Sequence, residues 1–155
     1  MSQGALFDRP KRAFVINVDG ASRGNPGPAA AGWVIRDARD GQVLIEEGLF
    51  LGDETNNRAE YLALLFALED AMLLRADEVA VRSDSELLVK QMTGAYRVKN
   101  PGLKGLHQRV TRLAAGFASF RVEHVPREDN RDADRAANAA LDARKGKHPQ
   151  AEGNA

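Results

Sequence analysis

The sequence predicts a single α/β domain built on a mixed, five-stranded sheet flanked by helices. Three segments rich in β-branched and other apolar residues come first, and short turns join them, which is typical of an antiparallel meander. Strand and helix patterns then alternate to the end of the chain, which favours parallel strands connected by helices. The 155 residues, of which 43% are hydrophobic, suffice for one core of this kind.

The three opening strands are expected at 13–19 (AFVINVD), 30–36 (AAGWVIR) and 43–51 (VLIEEGLFL). Between the first two, residues 20–28 (GASRGNPGP) contain three Gly and two Pro, so this segment is expected to be a loop. Asp40 and Gly41 supply the hairpin turn between the second and third strands.

A long helix is expected at 58–74, after a polar loop at 53–57 in which Asn56 or Asn57 would be the N-cap. The helix segment lacks Gly and Pro, and its residues 61–68 (YLALLFAL) are apolar on nearly every side. We therefore expect this helix to be deeply buried.

The second half of the chain is expected to form two strands and three helices. Their predicted ranges are strand 78–83, helix 84–92, helix 103–115, strand 120–126 and helix 130–144. Residues 1–12 are expected to be a flexible lead, 13–144 the folded domain and 145–155 a flexible, polar tail.

The composition excludes several classes of site. Without cysteine, the chain has no disulfide, thiolate metal site or cysteine nucleophile, and it fits the reducing cytoplasm, where we expect the protein to act. No secretory signal is evident in residues 1–12, and no apolar run is long enough for a membrane span. No repeated apolar surface pattern suggests an oligomer, so we expect a monomer. Because 22 basic and 22 acidic residues cancel, any nucleic-acid-binding surface must be local.

Four acidic residues stand at the junctions of the predicted elements, where open α/β sheets place functional side chains. Asp19 and Asp84 end strands, whereas Glu60 and Asp134 lie in the first turns of helices. Structural explanations exist for three of them, since Glu60 and Asp134 could favour a helix N-terminus and Asp84 could be an N-cap. Asp19 is harder to explain in this way, because it ends an apolar strand and buried carboxylates need partners.

Spacing alone does not show that these four carboxylates converge. If they do, they cannot all stay ionised without cations, and hard oxygen ligands favour Mg²⁺ or Mn²⁺. Two such ions could clamp the attacking and leaving oxygens of a phosphodiester, so that no nucleophilic side chain would be required.

Four motifs, in order, resemble those of the type 1 ribonuclease H family. They are VDGASRGNPGPAAAGWVI (18–35), TNNRAEYLALLFAL (55–68), VRSDSELLVKQM (81–92) and HVPREDNRDADRAANAAL (124–141), and the similarity spans residues 13–141. The resemblance implies a ribonuclease H-like fold. It also implies an endonuclease that cuts the RNA strand of RNA–DNA hybrids with two Mg²⁺ or Mn²⁺ ions bound alongside the substrate.

The resemblance also implies roles for particular residues. The metal-binding catalytic carboxylates would be Asp19, Glu60, Asp84 and Asp134, with Glu60 also near the RNA 2′-hydroxyl. The residues that contact the hybrid across its minor groove, where the 2′-hydroxyl identifies RNA, would be Asn25, Thr55, Asn56 and Asn57. Turn and capping chemistry explains the three asparagines equally well, and the two roles can coexist.

Two features of this sequence depart from the family pattern. Many members carry a mobile His in a longer loop after the last strand, whereas the loop here, 126–130 (PREDN), is shorter and lacks one. His124 is expected to be a structural strand residue, and Arg127 is expected to contact phosphate or assist product release instead. The long basic handle of some relatives is also absent, because residues 96–104 are too few to form it.

A basic stretch offers a local surface for nucleic acid. No acidic residue lies between Leu87 and Val122, and this segregation favours a face that follows a phosphate backbone, although a solvated helix surface would also explain it. The basic residues of the stretch are Lys90, Arg97, Lys99, Lys104, Arg109, Arg112 and Arg121.

The sequence leaves three functions to distinguish. The motifs and the complete set of carboxylates favour an endonuclease that is specific for hybrids. The missing loop His motivates the alternative of a non-catalytic or weakly active hybrid-binding module. A nuclease of the same superfold that acts on DNA is the third, because a fold does not fix a function.

Overall fold

The computed structural model describes the backbone from Pro10 to Asn154 and the side chains from Pro10 to Arg144. Within these residues, five strands form one sheet in the order β3-β2-β1-β4-β5, and four α-helices and a 3₁₀ turn at Arg127–Asp129 accompany it. The strands are β1 (Ala13–Ser22), β2 (Gly27–Asp37), β3 (Val43–Glu54), β4 (Glu78–Ser83) and β5 (Ser119–His124). The helices are α1 (Asn56–Leu73), α2 (Glu86–Met92), α3 (Pro101–Ala114) and α4 (Arg131–Asn154).

The predicted mixed α/β sheet is confirmed. β1, β2 and β3 pair antiparallel as a meander, whereas β1, β4 and β5 run parallel. Each parallel connection contains helices, as crossovers between parallel strands require.

Helices cover both faces of the sheet. α1 packs on one face, with α3 against it, and its buried residues Tyr61, Leu64 and Leu68 join the main core. α4 crosses β1, β2 and β3 on the opposite face. It lies so close that a Cβ on Gly32 of β2 would overlap the α4 backbone. α1 is therefore the buried central helix that its apolar sequence predicted.

The loop predicted at 20–28 is mostly strand, which corrects the expectation from its Gly and Pro content. β1 continues to Ser22 and β2 begins at Gly27, and the two remain in antiparallel register as far as Ser22 and Ala29. Only residues 23–26 connect them. Local sequence marks Gly20 as a chain breaker, but here the glycine lies within a strand against which a helix packs.

The N-cap of α1 is Thr55 rather than Asn56 or Asn57. The Thr55 Oγ1 accepts a hydrogen bond from the Arg58 backbone N–H at 3.2 Å, and the two asparagines are the first helical residues. The chain offers three residues in succession that can cap a helix, and the one with extended backbone, Thr55 at φ −75° and ψ 160°, takes the role.

The described residues extend beyond the predicted domain of 13–144 at both ends. Residues 1–9 of the expected lead lie outside the described residues, whereas Lys11 pairs with Glu78 and the Arg12 N–H bonds Asp77. α4 continues to Asn154, beyond its expected end at 144, although Gly146, Pro149 and Gly153 are poor helix formers. The division into lead, domain and tail stays a prediction. Among the described residues, no helix is both long and apolar enough to cross a membrane.

Candidate active site

Asp19 and Asp84 lie next to each other where the pairing of β1 with β4 ends. The two strands are parallel, and their last paired residues are Val18 and Ser83. Asp84 follows the end of β4 as expected, but Asp19 does not end its strand, because β1 continues to Ser22 and Asp19 pairs with Gly32 of β2. The Asp19 side chain is only 5% exposed, whereas Asp84 is half-buried.

Asp84 does not cap the helix that follows it, although the sequence left this explanation open. The N-cap of α2 is Ser85, whose Oγ accepts a hydrogen bond from the Leu88 N–H at 3.2 Å. The Ser83 Oγ accepts from the Ser85 N–H at 3.0 Å and so stabilises the turn between strand and helix. The capping explanation for Asp84 is therefore wrong.

Glu60 approaches these two aspartates from α1. It is the fifth residue of the helix, and the first turn contains no acidic residue, so a favourable interaction with the helix N-terminus does not account for it. The Gly20 N–H donates a hydrogen bond to Glu60 Oε1 at 2.7 Å. A Cβ at Gly20 would overlap the backbone of Ala59 and Glu60, so glycine permits both the helix contact and this bond.

Three of the four predicted carboxylates form one cluster. Asp19, Glu60 and Asp84 each offer a carboxylate oxygen, and these oxygens all lie within 4.8 Å of one another. Asp134, in the first turn of α4, lies beside the cluster, and its carboxylate helps to raise the pKa of Asp19 by its charge and by accepting a hydrogen bond from the protonated Asp19. The Asn138 side chain donates to Asp134 Oδ1 at 3.1 Å and holds that carboxylate from the next turn.

Burial and mutual repulsion make this cluster a poor place for uncompensated negative charge. Burial, followed by the charges of Glu60, Asp84 and Asp134, raises the pKa of Asp19 to about 9. Burial and the charge of Asp84 raise the pKa of Glu60 to about 8, although the Gly20 N–H and Arg127 act in the opposite direction. Without a cation the cluster holds protons at neutral pH, and a divalent ion could replace them. The acidic group can therefore bind a metal ion.

The residues predicted to contact substrate lie around the start of α1. Asn25 Oδ1 accepts a hydrogen bond from the Asn56 N–H at 3.0 Å, which joins the β1–β2 connection to the helix. Asn25, Asn56 and Asn57 are exposed, and Thr55 is half-buried as the N-cap. The structure thus brings Thr55, Asn56 and Asn57, which lie three to five residues before Glu60, next to Asn25 of the β1–β2 connection.

Arg127 lies near Glu60 of the cluster. It opens the 3₁₀ turn between β5 and α4, its side chain is exposed, and its charge lowers the pKa of Glu60. His124 is the last residue of β5, is exposed, and pairs with Ser83, as expected for a strand residue.

The basic residues of 87–122 do not all lie near the cluster. Lys90 is in α2, six residues beyond Asp84, where its Nζ lies 4.9 Å from the centre of the exposed Tyr96 ring. Arg109 and Arg112 instead line a groove with Met72. Met72 is 12 residues along α1 from Glu60, or about 18 Å at 1.5 Å per residue. Only part of the predicted basic face is therefore close to the carboxylates.

Sequence reasoning missed two buried amides beside the site, those of Asn17 and Asn130. The available signal was a polar residue inside the apolar run of β1, between Ile16 and Val18. That signal indicates a buried hydrogen bond but does not identify the partner.

Comparison with known proteins agrees with this architecture. Residues 17–140 match a protein family described as reverse transcriptase-like. Ribonuclease HI of Halobacterium salinarum is 48% identical over 124 residues, which are 80% of this chain and 62% of that protein. The crystal structure of RNase H1 from the same archaeon has a TM-score of 0.82 and 46% identity, covering 84% of this chain and 98% of that one. The chain belongs to the type 1 ribonuclease H family.

Two other family members are similarly close. The bifunctional protein Rv2228c of Mycobacterium tuberculosis is 48% identical over 129 residues, covering 83% of this chain and 35% of that protein. LC11-RNase H1, whose crystal structure is a complex with an RNA/DNA hybrid, has a TM-score of 0.78 and 43% identity, covering 84% of this chain and 97% of that one. The chain thus spans 62% of the halobacterial ribonuclease and about a third of Rv2228c.

Proposed function

We propose that this protein is an endonuclease that hydrolyses the RNA strand of RNA–DNA hybrids with Mg²⁺ or Mn²⁺. The observation that carries the proposal is the cluster of Asp19, Glu60 and Asp84, whose oxygens lie within 4.8 Å of one another and beside Asp134. Membership of the type 1 ribonuclease H family and the hybrid bound to LC11-RNase H1 support the substrate class.

The donor set fits hard divalent cations. All the candidate ligands are carboxylate oxygens, which suit Mg²⁺ and Mn²⁺ better than softer metals. Asp19, Glu60, Asp84 and Asp134 would hold two ions when substrate is bound, since phosphate oxygens would then complete their coordination. Bound ions would neutralise the carboxylates and supply Lewis acidity toward the phosphodiester.

The chain itself contributes rigid placement of these groups. Asp19 and Asp84 are fixed by adjacent strands, and Glu60 is held through one oxygen by the Gly20 N–H, so its other oxygen can face an ion or the RNA 2′-hydroxyl. Such placement lowers the entropic cost of reaching the reactive geometry. No nucleophilic side chain is required, because water is the attacking group in hydrolysis.

Substrate contacts are proposed at the start of α1 and at Arg127. Amide groups both donate and accept hydrogen bonds, so Asn25, Asn56 and Asn57, together with Thr55, suit the 2′-hydroxyls and base edges of a minor groove. The bond between Asn25 and Asn56 orients two of them before substrate arrives. Arg127 would contact a phosphate or assist product release from its exposed position near Glu60.

A cleavage assay with three labelled substrates tests this proposal. We expect cutting of an RNA–DNA hybrid with Mg²⁺ or Mn²⁺, no cutting in EDTA, and little cutting of duplex RNA or duplex DNA. Asp19→Asn should abolish cleavage while leaving the circular dichroism spectrum unchanged. Hybrid binding without cleavage in either metal would favour the binding module, and equal cleavage of duplex DNA would favour the DNA nuclease. The cytoplasmic location and the monomeric state stay predictions.

A further inference from the structure

Two asparagines are buried next to the carboxylate cluster, and the activity proposed above does not account for them. Asn130 is 1% exposed and Asn17 is 5% exposed, each well inside the range of core residues. A buried amide costs free energy unless its donors and acceptors are paired. A valine at position 17 would match the apolar residues of the strand better, so the buried amide must be explained by the hydrogen bonds that it makes.

Three hydrogen bonds satisfy these amides. The Asn130 Nδ2 donates to the Val18 carbonyl at 2.9 Å, and the Asn17 Nδ2 donates to Asn130 Oδ1 at 2.9 Å and to the Asp129 carbonyl at 3.3 Å. Backbone carbonyls only accept hydrogen bonds. The side-chain amino group of Asn130 must therefore face the Val18 carbonyl, and that of Asn17 must face the Asp129 carbonyl. Asn130 Oδ1 is then the acceptor that faces Asn17, and neither position can exchange its donors for acceptors.

These bonds join the segments that carry the separated parts of the site. Val18 immediately precedes Asp19, and the Asn130 carbonyl accepts from the Asp134 N–H at 3.1 Å in the first turn of α4. The Asn130 N–H donates to the Arg127 carbonyl at 3.0 Å, which closes the 3₁₀ turn. One residue, Asn130, therefore links β1 beside Asp19, the turn that bears Arg127, and the helix that bears Asp134.

We propose that Asn17 and Asn130 are positioning residues that set Asp134 and Arg127 relative to Asp19. Asp134 lies beside Asp19 although 115 positions separate them in the chain (134 − 19), and the amide pair provides a buried connection between their segments. The inference rests on the proposed metal-dependent function, because it concerns the geometry of that site. Groups that orient metal ligands typically change metal affinity or activity by about 10- to 100-fold when they are removed.

Asn130→Ala and Asn17→Ala test the pair, with Mn²⁺ affinity measured by isothermal titration calorimetry and with kcat measured on a hybrid. We expect each variant to fold and to lose about 10-fold or more in Mn²⁺ affinity, in kcat, or in both. The double variant should lose scarcely more than the worse single variant, because the two amides act as one unit. Independent, additive losses would contradict the proposal.

Trp33→Phe provides a matched control. It removes another side-chain hydrogen bond, from the buried Trp33 Nε1 to the half-buried Asp70 Oδ2 at 2.8 Å, on the opposite face of the sheet. It should lower the thermal midpoint while leaving Mn²⁺ affinity and kcat within about twofold. If the asparagine variants behave in the same way, the pair has only a structural role and the proposal is overturned.

Two further outcomes remain informative. If Asn130→Ala does not fold, Asn17→Ala carries the test, because it leaves the bond from Asn130 to Val18 in place. If the unmodified protein binds Mn²⁺ but cuts no nucleic acid, the proposed function fails, and the Mn²⁺ affinities of the variants still decide whether the pair positions the site.

Discussion

Asp19 shows how a single residue can be unfavourable for folding and useful for chemistry. Its carboxylate is almost fully buried within β1, directly after the apolar part of the strand and next to two other carboxylates of the cluster. In the absence of metal, folding therefore forces Asp19 and Glu60 to retain protons that they would lose in the unfolded chain. The free energy of unfolding of the metal-free protein should therefore depend on pH.

The metal-free protein should lose stability as the pH rises from about 5 to about 9. Folding raises the pKa of Asp19 from 3.8 to about 9 and that of Glu60 from 4.5 to about 8, so the folded state binds more protons over this range. The stabilising contribution is complete below the unfolded pKa values and is lost as the pH passes through the folded ones. Thermal midpoints in EDTA from pH 5 to pH 9 measure the effect.

Asp19→Asn provides the comparison, because an amide has no proton to lose. Its stability should vary less steeply with pH than that of the unmodified protein, and saturating Mg²⁺ should flatten the unmodified curve by replacing the protons. Parallel curves for the two proteins in EDTA would show that Asp19 does not titrate in this way.

Arg127 gives a second prediction at the residue scale. Because its charge lowers the pKa of Glu60, Arg127→Ala should shift the acidic limb of the kcat profile to higher pH and lower kcat by about 10-fold. Arg127→Lys should restore the position of the limb in part, because it keeps the charge. Arg131→Ala is the control, since Arg131 is an exposed arginine four residues along the chain. If the kcat profile of Arg127→Ala is unchanged, Arg127 does not act on Glu60 or on the reaction.

At the scale of elements, periodicity and composition predicted every strand and helix but not all of their ends. Gly20 marks a break by local rules, yet it lies in β1 because α1 needs a position without a Cβ. The N-cap of α1 depended on where the chain turns into the helix, and three adjacent residues were suitable. These ends depend on tertiary contacts, which the local sequence does not predict.

The candidate site was predictable to a similar extent. The motifs singled out four carboxylates as candidates, but whether they lie together depends on the parallel pairing of β1 with β4 and on the approach of α1 and α4. Asn17 and Asn130 escaped prediction because their partners are more than 100 residues apart in the chain. A buried amide in a strand has no local signature that names its partner.

Gly20→Ala should damage stability and the site together. The added methyl group overlaps the backbone of Ala59 and Glu60, so α1 must move away from β1, which should cost about 1–3 kcal/mol. The same movement lengthens the bond from the Gly20 N–H to Glu60, so Mn²⁺ affinity should fall as well. Urea unfolding and calorimetry measure the two effects.

Gly105→Ala is the matched control for that substitution. Gly105 lies in α3, and a Cβ there would meet no atom within 4 Å, so alanine should stabilise the helix by about 0.5–1 kcal/mol. Mn²⁺ affinity should stay unchanged. A Gly20→Ala protein that matched Gly105→Ala in both measurements would show that close packing of α1 on β1 is not required.

At the scale of the whole molecule, equal numbers of acidic and basic residues leave no overall attraction to a polyanion. Binding of a hybrid must then depend on where the charges lie. The acidic cluster includes Asp84, and the basic stretch begins six residues further along the chain at Lys90 and continues through α3 to Arg121 of β5. The near and far parts of this stretch should therefore contribute unequally to binding.

The salt dependence of hybrid binding distinguishes the contribution of the near basic residues from that of the far ones. Each phosphate neutralised by Lys or Arg adds about 1 to the slope of log K against log salt, so substituting a contacting cation should reduce the slope by about 1. We expect this for Lys90→Ala and Arg97→Ala, measured in the Asp19→Asn background so that the hybrid stays intact. Arg109→Ala and Arg112→Ala should leave the slope unchanged, because these residues line the groove near Met72, about 18 Å along α1 from Glu60. Equal reductions at all four positions would instead indicate that the hybrid follows the full length of α3 and that the binding surface extends well beyond the carboxylate cluster.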